Sequence, residues 1–205
     1  MRLIGRMHGT MVYGRRVRAL SGLVAASMPA NARVLDVGCG DGLIDCLIVQ
    51  KRPDVRIRGL DVLVRDELHI PVERFDGRHI PYGRGEFDVV MFIDVLHHTD
   101  DPTVLLREAD RVTAGGVLIK DHDANGRLAK PTLRLMDWVG NAHHGVSLPY
   151  NYWPKRQWLD AFESLGLSVR TWTHEVGLYL WWADAVFGRS LHFVCLLGKE
   201  GEVDD

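Results

Sequence analysis

Apolar residues in this chain fall into short runs separated by amphipathic stretches, and the two alternate almost throughout. Val34, Leu35 and Val37 read as a strand over Arg33–Val37, covered on both faces. A helical stretch follows to Lys51, then a strand at Arg56–Val62 and a short strand at Val72–Phe75. The segment between those strands, ending at Ile70, is short for a crossover helix and predicts a reduced one. Asp88–Asp94 is a nearly continuous apolar run suited to the centre of a sheet. A helix is expected over Thr103–Val112, with Asp100 and Asp101 as candidate caps and Pro102 in its first turn. Gly115-Gly116 then breaks the chain into a strand at Val117–Asp121.

Beyond Asp121 the pattern loosens. Residues 123–153 contain polar, glycine and proline breaks around a helical patch near Pro131–Val139. Trp158, Leu159, Phe162 and Leu165 mark a helix ending at Gly166. A strand at Ser168–Thr173 follows, then an irregular aromatic segment over 175–189 and a buried strand at Leu191–Leu197. Strand–helix alternation of this kind predicts an α/β domain with a mostly parallel sheet.

The N-terminal 30 residues admit two readings. Arg15-Arg16 ahead of Ala19–Ala26, with Ala30-Asn-Ala32 behind, resembles an export signal. Val17, Leu20, Leu23 and Val24 share one side of a helix over Tyr13–Met28, and this is the reading favoured here. No run approaches the ~20 apolar residues of a membrane span.

A length of 205 residues suits one domain with an ample core. The net charge of −2 excludes a global basic field for nucleic acid. Cys39, Cys46 and Cys195 form neither a metal-ligand pattern nor an even disulfide set, so they read as reduced thiols of a cytoplasmic protein, with no metal expected.

The chemistry concentrates at Val34-Leu-Asp-Val-Gly-Cys-Gly-Asp-Gly42, a strand running into a glycine-rich turn and a helix. Gly38, Gly40 and Gly42 allow positive φ and close approach of a ligand. Asp61 closes the next strand about 20 residues on, where an acid accepts hydrogen bonds from ribose hydroxyls. The spacing is G-x-G-x-G rather than G-x-G-x-x-G, and Asp36 stands within the strand. A carboxylate there suits a cationic ligand better than a pyrophosphate.

With Gly59-Leu-Asp61, Phe75-Asp-Gly77, Phe87–His98 and Arg111–Val117 in the same order, the chain resembles the class I S-adenosylmethionine-dependent methyltransferases, of the type found in ubiquinone and menaquinone biosynthesis. The resemblance covers roughly residues 33 to 122. It implies a Rossmann-like, doubly wound seven-stranded sheet with an antiparallel last strand and helices on both faces. It also implies S-adenosyl-L-methionine as methyl donor and S-adenosyl-L-homocysteine as product. By position, Asp36, Gly38 and Gly40 would line the amino-acid end of the cofactor, and Asp61 the ribose. Asp76 and Gly77 would meet the adenine, and Asp94 the methionine portion or the substrate entrance. Cys39 in the loop and Val62 beside Asp61 complete the expected cofactor set. For Asp76 the competing reading is an ordinary Asp-Gly turn.

Catalytic candidates follow from position. His122, with Asp121 beside it, ends the fifth strand next to the expected methyl position and titrates near neutrality. His97 follows the fourth strand as a more structural residue. His98, His144, Tyr150 and Tyr152 are substrate candidates. All six tryptophans lie after residue 137, so the segments 123–153 and 175–189 are expected to form a cap with aromatic walls over a small-molecule acceptor; Trp158, at helical spacing with Phe162, is expected in the core instead. Methylation of RNA or protein, and a non-catalytic cofactor-binding role, are the alternatives. The acceptor and the oligomeric state stay open.

Overall fold

The computed structural model describes residues 2–141, 149–179 and 190–199. Helices are α1 (Arg2–Ala26), α2 (Leu43–Lys51), α3 (Pro102–Val112), α4 (Ala129–Asn141) and α5 (Lys155–Ser164). Strands are β1 (Arg33–Val37), β2 (Arg56–Asp61), β3 (Val72–Arg74), β4 (Phe87–Ile93), β5 (Thr113–His122), β6 (Leu167–Thr173) and β7 (His192–Lys199). They form one sheet in the order β3-β2-β1-β4-β5-β7-β6. β1 to β5 are parallel, and β7 runs antiparallel to both neighbours. The expected seven-stranded α/β sheet is therefore present.

Each face of the sheet has its own core. On one, α3 and α5 set Leu105, Leu106, Ala109, Trp158 and Phe162 against Leu35, Val90, Ile119 and Phe193. On the other, α1 and α2 set Val24, Ala25 and Ile48 against Val34, Val89, Met91 and Leu118. Val17, Leu20 and Val24 are buried, so the apolar side of the first helix packs as expected. That helix also begins earlier than its apolar spacing indicates.

Two expectations are corrected by packing. Gly115 and Gly116 lie inside β5 rather than before it, because a Cβ would stand 2.6 Å from Asp88 O at the first and 2.5 Å from Leu197 O at the second. The glycines let neighbouring backbones close on the strand. The β2–β3 connection holds no helix at all, and neither does the segment from residue 75 to residue 86. Of the two candidate caps of α3, Asp101 acts: its carboxylate accepts from Thr103 N at 2.9 Å.

The helix-free crossover from β3 to β4 is held by an ion pair on α3. Arg111 donates to Tyr82 O and Ile80 O, both at 2.8 Å, while Glu108 accepts from Ile80 N at 2.9 Å and pairs with Arg111 at 2.7 Å. Ile80 is pulled fully into the core beneath. Arg111→Ala removes a charged donor from two carbonyls and is expected to cost about 2–3 kcal/mol, roughly 4–12 °C in Tm. Thermal unfolding followed by circular dichroism checks this; a change under 1 °C would mean the crossover holds itself.

Candidate functional site

The carboxyl ends of β1, β2, β4 and β5 open on the same edge of the sheet, where open α/β sheets bind ligands. The glycine loop leaves β1 there. Gly38 and Gly40 adopt φ of 83° and 64°. Val95 fills the space a Cβ on Gly38 would need, whereas nothing lies within 4 Å of one on Gly40. The loop backbone at Gly40 is thus bare toward the open edge. Gly38 N and Cys39 N donate to Leu60 O, which ties the loop to β2.

Asp61 stands at the end of β2 and joins the two halves of this region. Its carboxylate accepts from Gly40 N at 2.8 Å and Leu63 N at 2.9 Å. Asp76 accepts from Arg78 N and His79 N, each at 2.7 Å, which is the geometry of an Asp-centred turn. These two N–H groups hold its pKa below the ordinary value. Gly77, at φ 79°, comes up against the half-exposed Val62. Asp61, Val62, Asp76 and Gly77 therefore gather along one rim, beside Gly40.

Asp36 is buried under the loop next to Asp45 of α2. The two carboxyl groups face each other, and Oδ1 of Asp36 and both oxygens of Asp45 have no other side-chain partner within the protein. Burial, reinforced by Asp45 and Asp61, raises the Asp36 pKa well above the carboxylate range; burial pushes Asp45 up to about 7. Cys39 is a mostly covered thiol, pushed up by burial and by the same acids, and packs over Gly59. All three cysteines are free.

A second polar group lies at the ends of β4 and β5, with Asp121 at its centre. Asp121 accepts from Leu96 N at 3.0 Å and His122 N at 2.7 Å, and its Oδ1 lies 2.7 Å from His97 Nδ1. His122 Nδ1 is 3.2 Å from the same oxygen and 3.3 Å from His97 Nδ1. All three side chains are almost fully buried. Burial disfavours charge on His97, but Asp121 and Asp137 outweigh it and push the pKa up to about 10. Burial and the His97 charge lower His122, and lower His98 to about 4. Burial opposes ionisation of Asp121, yet His97 and His122 hold it an anion.

The surrounding groups come from distant segments. His97 Nε2 faces Asp137 Oδ2 of α4 at 3.4 Å, and Tyr152 donates its hydroxyl to the same oxygen. Tyr152 stacks over His97 with ring centroids 5.6 Å apart. Asp94, in left-handed conformation at φ 58°, pairs with Arg16 of α1 and with the buried Lys120. Burial would raise its pKa, and the two cations hold it well below the usual value. His192 opens β7 opposite His122 and lies 3.4 Å from Lys120 Nζ.

The structure places Asp121, His122, His98 and Tyr152 side by side, with His97 as the direct partner of Asp121. Tyr150 lies at its margin, its ring 5.5 Å from the Arg134 guanidinium. His144 and residues 180–189 lie outside the described residues. Trp153 and Trp158 sit in the main core, Trp172 stacks on Phe193 at 4.2 Å, and Trp138 points outward. Asp45, Asp137, His192 and Arg16 were not singled out by sequence. Asp45 and Asp137 on helices and His192 at a strand end carry no spacing signal, and Arg16 reads in sequence as one of a run of surface arginines.

Comparison with known proteins agrees with this geometry. A family model described as "Methyltransferase domain" matches residues 11–171. Ajmaline N-methyltransferase of Rauvolfia serpentina is 31% identical over 99 residues, covering 42% of this chain and 34% of the relative. Ubiquinone biosynthesis O-methyltransferase of Psychrobacter arcticus is 31% identical over 109 residues, covering 44% and 40%. The match thus spans well under half the length of these curated relatives. A Haloferax volcanii putative methyltransferase, solved in complex with the Trm112 methyltransferase activator, superposes with TM-score 0.68 at 17% identity, covering 95% of this chain and 93% of that one. Sheet order, glycine loop and family match lead to one conclusion: this chain belongs to the methyltransferase-domain family.

Proposed function

We propose that the protein transfers a methyl group from S-adenosyl-L-methionine to a small-molecule acceptor. The observation that carries this reading is the buried Asp36–Asp45 pair beneath the bare Gly40 backbone, with no other side-chain partner within the protein for three of its carboxylate oxygens. Burial and mutual repulsion hold this pair toward its neutral form; a cationic group beside it would favour ionisation, and the proposed donor carries a sulfonium and an ammonium group. Asp36, Gly38, Cys39 and Gly40 would hold its amino-acid end, Asp61 its ribose, and Val62, Asp76 and Gly77 its adenine. The bound donor supplies the activated methyl, so the chain's own task is to position the acceptor and exclude water. Small-molecule acceptors fit the names of the N- and O-methyltransferase relatives.

The acceptor would meet the histidine group. His122 is kept neutral by burial and by the His97 cation, so it is able to accept a proton. Asp121 fixes both rings, and Tyr152 with Asp137 fixes His97 from the other side. Asp94 is engaged by Arg16 and Lys120, which makes it an organiser of the wall rather than a free contact.

Three measurements test this. Calorimetry is expected to show micromolar binding of S-adenosylhomocysteine, and Asp61→Ala to weaken it by about 10–100-fold; no binding at millimolar ligand overturns the donor assignment. Once methyl-labelled donor has identified an acceptor in a metabolite extract, His122→Ala should lower kcat by about 10²–10⁴-fold and leave donor affinity within about threefold. Undiminished kcat would remove His122 as the base. The third concerns pH. Asp45 has a folded pKa of about 7 against an ordinary 3.8, so its contribution to stability is full below about pH 4 and is lost as pH rises through 7. Asp45→Asn is therefore expected to raise Tm at pH 8 and change it little at pH 4; equal shifts at both pH values would contradict the raised pKa.

A further inference from the structure

The group of His97, Asp121 and His122 has a geometry that the base role leaves unused. Its three donor atoms, His97 Nδ1, Asp121 Oδ1 and His122 Nδ1, lie 2.7, 3.2 and 3.3 Å apart. A metal ion held at about 2.1 Å by three ligands spaces them about 3.0–3.4 Å apart, for angles between 90° and tetrahedral. The observed triangle matches that face to within a few tenths of an ångström. Two imidazoles and one carboxylate are a donor set that first-row divalent ions accept.

The outer contacts point the same way. A ligating histidine usually donates its other N–H to a carboxylate. His97 Nε2 stands 3.4 Å from Asp137 Oδ2, which Tyr152 holds, and His122 Nε2 stands 4.0 Å from Asp94 Oδ1; each second nitrogen has an acid beside it, short of hydrogen-bond geometry. Both rings thus place Nδ1 at the centre and Nε2 near an acid. Charge also calls for a cation there. Asp94 has Arg16 and Lys120, but among the described residues Asp121 and Asp137 form ion pairs with histidines alone. The buried His98 Nδ1 has no partner within the protein and lies beside them, its ring centroid 4.0 Å from that of His97.

We propose that His97, Asp121 and His122 form a binding site for one divalent first-row transition-metal ion, with Asp137, Tyr152 and Asp94 as the outer shell. Binding releases the proton that His97 Nδ1 shares with Asp121. Three protein ligands leave coordination positions open, as in catalytic zinc sites, and an acceptor oxygen bound there loses its proton more readily. In the metal-loaded protein His122 is a ligand rather than the base; the ion lowers the pKa of the acceptor oxygen, and the released proton passes to solvent. That use rests on the methyl-transfer reading; ion binding itself does not.

The test is a titration of the chelator-dialysed full chain with Zn²⁺, followed by calorimetry. One ion per chain at micromolar affinity or tighter is expected, with His97→Ala and His122→Ala each weakening it at least ~10-fold and Asp137→Asn by ~10–100-fold. Circular dichroism shows whether each variant is folded. Wild-type protein loaded with Co²⁺ gives a readout independent of any variant: visible d–d bands without a thiolate charge-transfer band in the near ultraviolet. Absence of binding, binding that both histidine variants leave unchanged, or a thiolate band would each overturn the site. S-adenosylhomocysteine binding is measured in parallel on the metal-free chain. If it binds and Zn²⁺ does not, the ion site alone falls; if Zn²⁺ binds and it does not, the donor assignment alone falls.

Discussion

The upper edge of this molecule depends on burying one carboxylate. Asp121 is the penultimate residue of β5, with no exposed surface, and a charge in that position is costly unless its lone pairs are engaged. Two backbone N–H groups and two imidazoles engage it. To supply them, the chain after β4 must turn tightly enough for Leu96 N and the His97 ring to point at the same carboxylate. That turn starts at Asp94, in a backbone conformation rare for a residue with a side chain, and it is pinned by cations from α1 and β5. Asp121 thereby sets the loop after β4 and, through His97, brings Asp137 of α4 to the site, while Asp94 ties the same loop to α1 through Arg16.

The two polar groups at this edge solve opposite electrostatic problems. Beneath the glycine loop two buried acids face each other, and burial raises the pKa of both. At the β4 and β5 ends the acids share histidine, lysine and arginine partners and stay ionised.

Sheet, glycine loop and acidic partner were legible in the sequence because each depends on local pattern. Buried strands read as apolar runs, and the turn needs glycine where Val95 crowds Gly38. Helix-free crossovers were legible only as a shortage of residues after β2; the Glu108–Arg111 clamp that replaces a helix looks in sequence like an ordinary exposed pair on α3. The acceptor side was half legible. Lys120-Asp-His122 signalled itself by placing three polar residues at the end of an apolar strand. His97 had no such contrast. Asp137, His192 and Arg16 reach the site from segments between 15 and 106 positions away from His122, and nothing local in their neighbourhoods marks them.

The helix-free connections on either side of β3 give the cleft an uneven resilience. β3 is a three-residue edge strand whose side chains are exposed or half-buried, and the residues after β2 leave Val62, Leu63 and Leu68 in contact with water. Segments with so few buried contacts open at low free energy, far below that needed to unfold β4 and β5. The rim formed by Asp61, Val62, Asp76 and Gly77 is built on that yielding margin, while the histidine group is built on the rigid middle of the sheet. The margin can therefore loosen on its own while the histidine group stays assembled in the middle of the sheet.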